Sequence, residues 1–215
     1  MGCPLVGESW LTHPFSAGWF MGAMTGGPLQ NDWIGLKTGY TGGYRLGWDS
    51  DYYWGLETRL TLAAVPVYDT ARAVQAQWDA DTAAGLTDDN PRRRRFDAGR
   101  SADLLHWDVS LLYYPWGDST WRPYLAAGLG FSELEAIDRL SRRIDETMFA
   151  LPVAVGLKWR ADERMVLRVE VADLMSFPGG EFRTRHNLTY TAGVEVRFGG
   201  KRRAYWPWNP GRHYW

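Results

Sequence analysis

The chain has almost no cysteine. Cys3 is the only one in 215 residues, which excludes a disulfide-stapled scaffold and a thiolate metal site. Long apolar runs are missing too. The longest, Phe149–Leu157 and Leu60–Tyr68, have nine residues each, whereas a spanning helix needs about 20. Nine residues do match a tilted transmembrane β-strand. No charge of one sign dominates: the net charge is −1 with 23% charged residues, so no global field points to nucleic acid or to a strongly acidic partner. The opening Met1-Gly2-Cys3-Pro4 has neither a basic n-region nor an apolar h-region. An exported chain needs a leader, so if this one is exported it is expected to be mature, trimmed or wrongly started. Gly2-Cys3 matches a fragment of a lipoprotein processing site, and an incidental free thiol is the simpler account. No metal site and no cofactor are expected.

Aromatics are abundant instead, with 13 Trp and 11 Tyr. Such rings suit places where one end is apolar and the other wet, including membrane interfaces and tryptophan-rich carbohydrate-binding modules. Alternation decides the fold class. In the segment Leu188–Phe198, Leu188, Tyr190, Ala192, Val194, Val196 and Phe198 fall on one side of an extended strand; Thr189, Thr191, Gly193, Glu195 and Arg197 fall on the other. The same period of two draws strands over 17–26, 40–48, 53–64, 104–115, 120–132, 147–160, 164–175 and 187–198.

The links between these strands alternate in length. Asp49-Ser50-Asp51, Trp116-Gly117-Asp118-Ser119 and Ala161-Asp162-Glu163 are short, while 27–39, 65–103, 133–146 and 176–186 are long. All short links are even-numbered and all long ones odd-numbered, so each class gathers at one end of an up-and-down barrel. Short periplasmic turns with long outer loops describe a bacterial outer-membrane barrel. The expected fold is an all-β, eight-stranded antiparallel transmembrane β-barrel. Residues 1–16 form an N-terminal periplasmic segment, 17–200 the barrel with the long outer loop 65–103, and 201–215 an aromatic-basic periplasmic tail.

Aromatic residues flank the short turns. Trp48, Tyr53, Trp54, Tyr113, Tyr114, Trp121 and Trp159, with Trp19, Phe20 and Phe198, are expected to form an interfacial girdle. The polar strand faces carry Arg45, Glu57, Arg59, His106, Asp108, Lys158, Arg160, Arg168, Glu170, Glu195 and Arg197. Small residues share those faces at Gly55, Ala126, Gly128, Gly156 and Gly193, leaving room for long side chains. The charged face is therefore assigned to the lumen, where opposite charges satisfy one another and fill a narrow barrel rather than line a wide pore. A lipocalin-like soluble barrel would turn the same faces the other way, around an apolar ligand.

The order Thr191, Gly193, Val196, Phe198 resembles the insertion signal on the last strand of bacterial outer-membrane barrels, which the barrel-assembly machinery reads. The whole pattern resembles small OmpA/OmpX-type eight-stranded barrels. More narrowly, G-G-Y-R-L-G-W-D (42–49), Y-Y-W-G-L-E (52–57), L-L-Y-Y-P-W-G-D (111–118), R-P-Y-L-A-A-G-L-G (122–130) and G-V-E-V-R-F-G-G (193–200) resemble planctomycete-type outer-membrane barrel proteins over most of 17–200. The resemblance implies fold and outer-membrane location more than activity, with outer-membrane lipid as the main partner.

His106, Asp108 and Ser110 share one strand face and invite comparison with outer-membrane lipid deacylases and acyltransferases. Same-face neighbours lie about 7 Å apart on a strand, and this face is luminal, so a lumen network is the better account and no enzyme is expected. In 65–103, Ala71–Ala84 has helix-forming composition ended by Gly85. Arg92–Arg95 follow, among Asp69, Asp79, Asp81, Asp88, Asp89, Asp97 and Asp103. This loop is the expected site of a surface ligand, and the aspartates lack EF-hand spacing. The tail carries Lys201, Arg202, Arg203 and Arg212 among Tyr205, Trp206, Trp208, Tyr214 and Trp215, a composition suited to packing on lipid or on the barrel mouth. The expected function is a structural anchor or loop-mediated surface binding.

Overall fold

A computed structural model describes residues 9–26, 28–30, 34–85, 100–137, 143–177 and 185–200. Cys3, Arg92–Arg95 and the tail 201–215 lie outside the described residues. A 3-10 turn, Trp10–Thr12, precedes β1 (Phe15–Gly26), β2 (Pro28–Gln30), β3 (Ile34–Leu36), β4 (Gly39–Asp49) and β5 (Trp54–Asp69). Helix α1 (Ala71–Ala83) follows, then β6 (Arg100–Tyr113), β7 (Trp121–Ile137), β8 (Arg143–Arg160), β9 (Met165–Phe177) and β10 (Arg185–Phe198).

Eight of these strands close into a ring in the order β1, β4, β5, β6, β7, β8, β9, β10, with every neighbouring pair antiparallel. Short β3 pairs with the upper end of β5, and β2 pairs with β3, extending the wall at the long-loop end. The registers give the stagger of the ring. Passing from Ser132 through His106, Thr61, Gly43, Phe20, Gly193, Arg168 and Lys158 returns to β7 at Arg122, ten residues from the start. With a rise of about 3.3 Å per residue and about 4.8 Å between strands, that stagger tilts the strands by about 40°.

The polarity of this barrel is inverted. Outward positions carry exposed Trp19, Tyr44, Leu62, Leu125, Leu129, Val155 and Val169, while Arg45, Glu57, Asp108, Lys158, Arg168 and Glu195 are buried. So large a continuous apolar surface belongs against acyl chains, and the lipocalin-like arrangement, with its apolar face inward, is overturned. No helix among the described residues is long and apolar enough to cross a membrane; the strands do it. Ring pairs mark both edges of the band. Phe15 stacks on Phe198, Trp54 meets Tyr113 and Trp121 stacks on Trp159 at the short-turn end; Phe131, Phe149 and Phe177 touch in series at the other. From Phe149 to Trp159, ten residues of tilted β8 span about 25 Å, the height of an outer-membrane apolar band.

The strands run further toward the long loops than alternation predicts. β5 ends at Asp69 rather than 64, β6 starts at Arg100 rather than 104, and β7 and β8 reach Ile137 and Arg143. The reason is a change of solvent. Beyond Phe131 and Phe149 the outward residues become Glu133, Glu135, Asp145 and Asp103 while the inward ones become Leu134, Ala136, Met148, Ala102 and Leu104, so the hydropathy alternation reverses its sense while backbone pairing continues. The 65–103 segment is accordingly wall at both ends, with α1 between. Thr70 caps α1 by accepting from Ala73 N at 3.4 Å, and Gly85 leaves it at φ +71°, a conformation glycine adopts without a side-chain clash.

Depth should govern the cost of charge on the outside. Val155→Arg, at mid-band, is expected to lower unfolding free energy by about 2–4 kcal/mol in liposomes, and Asp145→Arg, above the band, by about 0–1 kcal/mol. Equal costs in denaturant titration would contradict the placement of the band.

Candidate functional site

The lumen is filled in layers. At the long-loop end lies an apolar cluster of Met24, Leu36, Ala63, Val65, Ala102, Leu104, Leu134, Ala136 and Met148. Below it His106 Nδ1 sits 2.7 Å from Ser132 Oγ, which accepts from Ser176 Oγ at 3.2 Å. All three side chains are fully enclosed. His106, Asp108 and Ser110 do share the inner face of β6, but Ser110 donates to Asp108 Oδ2 at 3.4 Å and His106 turns to Ser132 instead. His106 Nε2 stands 3.9 Å from Asp108 Oδ1, too far for a hydrogen bond.

The charged layer centres on Arg168. Its Nε donates to Tyr124 Oη (2.6 Å), Nη1 to Glu57 Oε2 (2.5 Å) and Glu195 Oε1 (2.7 Å), and Nη2 to Glu57 Oε1 (3.0 Å) and Glu170 Oε2 (2.6 Å). Those contacts use every N–H a guanidinium has. Arg59 forks onto Asp108 through Nε (3.0 Å) and Nη2 (3.0 Å) and reaches Glu170 through Nη1 (2.8 Å). Arg45 donates to Glu170 at 3.1 Å with its guanidinium over Phe20, and Lys158 Nζ lies 3.1 Å from Glu195. Arg45, Arg59, Lys158 and Arg168 thus face Glu57, Asp108, Glu170 and Glu195, four charges against four. Gly156 makes space for this hub: a Cβ there would lie 2.2 Å from Tyr124 Oη.

The short-turn mouth is closed by Trp10, which no local sequence pattern indicates. Its backbone N donates to Asp118 Oδ1 and its indole Nε1 to Ser119 O, both at 2.8 Å, and Arg197 Nη2 donates to its carbonyl at 2.9 Å. The guanidiniums of Arg122, Arg160 and Arg197 pack on the indole at 5.0, 4.4 and 4.7 Å. Asp49 Oδ2 accepts from Arg122 (2.8 Å) and Arg197 (2.7 Å), and Asp49 Oδ1 from Tyr114 Oη (3.0 Å). Burial, together with the Asp49 carboxylate, pushes the Tyr114 phenol well above its usual range, so it remains a donor.

Of the girdle residues, Trp48, Trp54, Tyr113, Trp121, Trp159 and Phe198 face outward near the short-turn rim, and Tyr53 lies on the turn before β5. Trp19 also faces outward but four residues up from the rim, opposite Tyr44 and Val194; because β1 starts at Phe15, that ring takes the rim position instead. Phe20 and Tyr114 are buried in the lumen, on the opposite parity from Trp19 and Tyr113. On β10, Thr191 and Gly193 face inward and Val196 and Phe198 outward. Arg122 and Tyr124 were legible as inward residues, opposite in parity to Leu125 and Leu129; only their partners were hidden.

No protein-family model matches the chain, and no curated protein matches its sequence. Solved structures do. Neisserial surface protein A superposes with a TM-score of 0.58 at 13% identity, covering 86% of this chain and 97% of that one. The outer membrane protein OprG of Pseudomonas aeruginosa gives 0.59 at 13% identity, covering 90% and 99%.

The fold is that of a small outer-membrane β-barrel. Within this outer-membrane-type barrel, the charged layer and the Trp10 cap join strands far apart in sequence. Arg168→Met should take a partner from each of Glu57, Glu170 and Glu195, leaving four carboxylates against three cations, and cost about 3–5 kcal/mol, with Arg168→Lys failing to restore the fork geometry. Trp10→Ala should cost about 3 kcal/mol. Guanidinium unfolding of the refolded barrel measures both, and wild-type midpoints would contradict the network.

Proposed function

We propose that this chain is a bacterial outer-membrane anchor: a barrel with a filled lumen that carries its long loops at the cell surface for adhesion or ligand binding, without catalysis. The observation that carries the reading is the stacked filling of the lumen. An apolar cluster, a neutral polar layer, a balanced ion network and the Trp10 cap follow one another along the axis. Such a filling supports a closed structural barrel rather than a conduit. Enclosure of His106, Ser132 and Asp108 supports a non-catalytic role, since a nucleophile and base need substrate within hydrogen-bond reach.

The surface-facing candidate is the rim at the long-loop end, comprising β2, β3, the upper part of β5 and α1, the described part of the loop 65–103 expected to meet a surface ligand. Trp78 and Val74, four residues apart on one side of α1, are half-exposed there and suit a binding surface. On β10, Thr191, Gly193, Val196 and Phe198 are the residues we assign to recognition by the barrel-assembly machinery. Gly193 admits no Cβ, which would lie 2.5 Å from Trp19 O.

Reconstitution in planar bilayers tests the reading. The wild-type barrel should give no steady step conductance, and a cysteine placed at Gly85 should be labelled by an impermeant maleimide on intact cells. Stable conductance steps would overturn the anchor in favour of a channel. Labelling only after lysis would overturn the surface display.

A further inference from the structure

The outward face of β9 reads Met165, Leu167, Val169, Val171, Asp173, Met175, Phe177. Asp173 interrupts it four residues inside Phe177, opposite Val153 on β8 and Leu188 on β10. Among the described outward-facing strand residues, the other carboxylates (Asp103, Glu133, Glu135 and Asp145) lie beyond the aromatic edge of the band; Asp173 alone lies within it. A carboxylate among lipid-facing side chains needs a partner and marks a function. Its partner is His186, directly opposite Met175, whose Nδ1 is 2.7 Å from Asp173 Oδ2. The His186 side chain is 62% exposed and that of Asp173 33%. Asp173 Oδ1 is covered and makes no hydrogen bond.

The two imidazole nitrogens sit on opposite sides of the ring. With Nδ1 committed to Asp173, Nε2 is the nitrogen left toward the surroundings. In the ion-paired form the carboxylate neutralises the imidazolium, and Nε2–H is a charge-assisted donor held at the band edge by a partner it cannot leave without exposing a bare carboxylate to acyl chains. We propose that His186 and Asp173 form a lipid-headgroup site, in which His186 Nε2 donates to a phosphate oxygen of a membrane phospholipid in the leaflet at the long-loop end. Asp173 acts as the positioning residue, fixing the ring through Nδ1. The depth selects this occupant. A phosphate lies just above the acyl region, level with the Phe131–Phe149–Phe177 edge beside which His186 stands.

This inference rests on the membrane-spanning reading, and one experiment separates the two. The full chain is refolded into nanodiscs of dimyristoyl phosphatidylglycerol or of the phosphate-free lipid monogalactosyl diacylglycerol. Lipids retained after transfer to detergent are counted by native mass spectrometry. The wild type should retain phosphatidylglycerol and not the galactolipid; His186→Ala should bind phosphatidylglycerol about tenfold more weakly, and His186→Lys, which restores a cationic donor, should recover most of it. Asp173→Asn, which keeps the ring but loosens its anchor, should fall between. Folding of each variant is checked by the shift in gel migration on boiling. Equal phosphatidylglycerol retention by folded wild type and His186→Ala overturns the site, as does equal retention of the two lipids by the wild type. Crosslinking between two copies that depends on His186 overturns it in favour of a barrel–barrel contact. A chain that fails to enter either nanodisc overturns the membrane reading itself.

Discussion

Neutrality inside the lumen is the constraint on which the rest of the structure depends. An eight-stranded wall encloses a space too narrow for bulk water, so each charge that alternation turns inward must find an opposite one across the barrel. Arg168 meets that need for three carboxylates drawn from β5, β9 and β10. Because Glu57 lies 111 residues from Arg168 and reaches it from a strand across the barrel, the network is complete only when the ring is closed. Closure and neutrality therefore depend on each other, and the stagger of ten residues sets which inward positions share a level.

The Trp10 cap extends the same logic to the short-turn mouth. Arg122 and Arg197 share Asp49 at that level, and the indole lays a negative ring face against the guanidiniums of Arg122, Arg160 and Arg197. Its hydrogen bonds run to the β6–β7 turn and to β10. Of residues 9–14, Trp10 is the one buried in the mouth, while Thr12 stays exposed. Outside, the opposite rule holds: apolar side chains face lipid, aromatic rings mark both edges, and Asp173, the one outward carboxylate inside the band among the described residues, is matched by His186.

Much of this was legible in the chain. Alternation identified eight strands, the inward parity of Arg45, Glu57, Arg168 and Glu195, and the outward parity of Trp48, Trp121 and Phe198. It failed where its premise failed. Above Phe131 and Phe149 the outward face meets water and the inward face turns apolar, so the alternation changes sense and does not carry the strands to their ends; Phe20 and Tyr114 have girdle chemistry but lumen parity. Ser132, Tyr124 and Arg122 lay on the correct face, yet nothing local paired them with His106, Arg168 or Asp49.

Hydropathy of period two, turn chemistry and loop alternation are properties of neighbouring residues, so the sequence by itself determined an up-and-down barrel, the end at which its long loops gather and the side of each strand that carries charge. Which charge meets which, how Trp10 enters the mouth, and that Asp173 is answered by His186 depend on register between strands. Register is settled by the stagger of the closed ring, a property of the whole wall that no local segment contains.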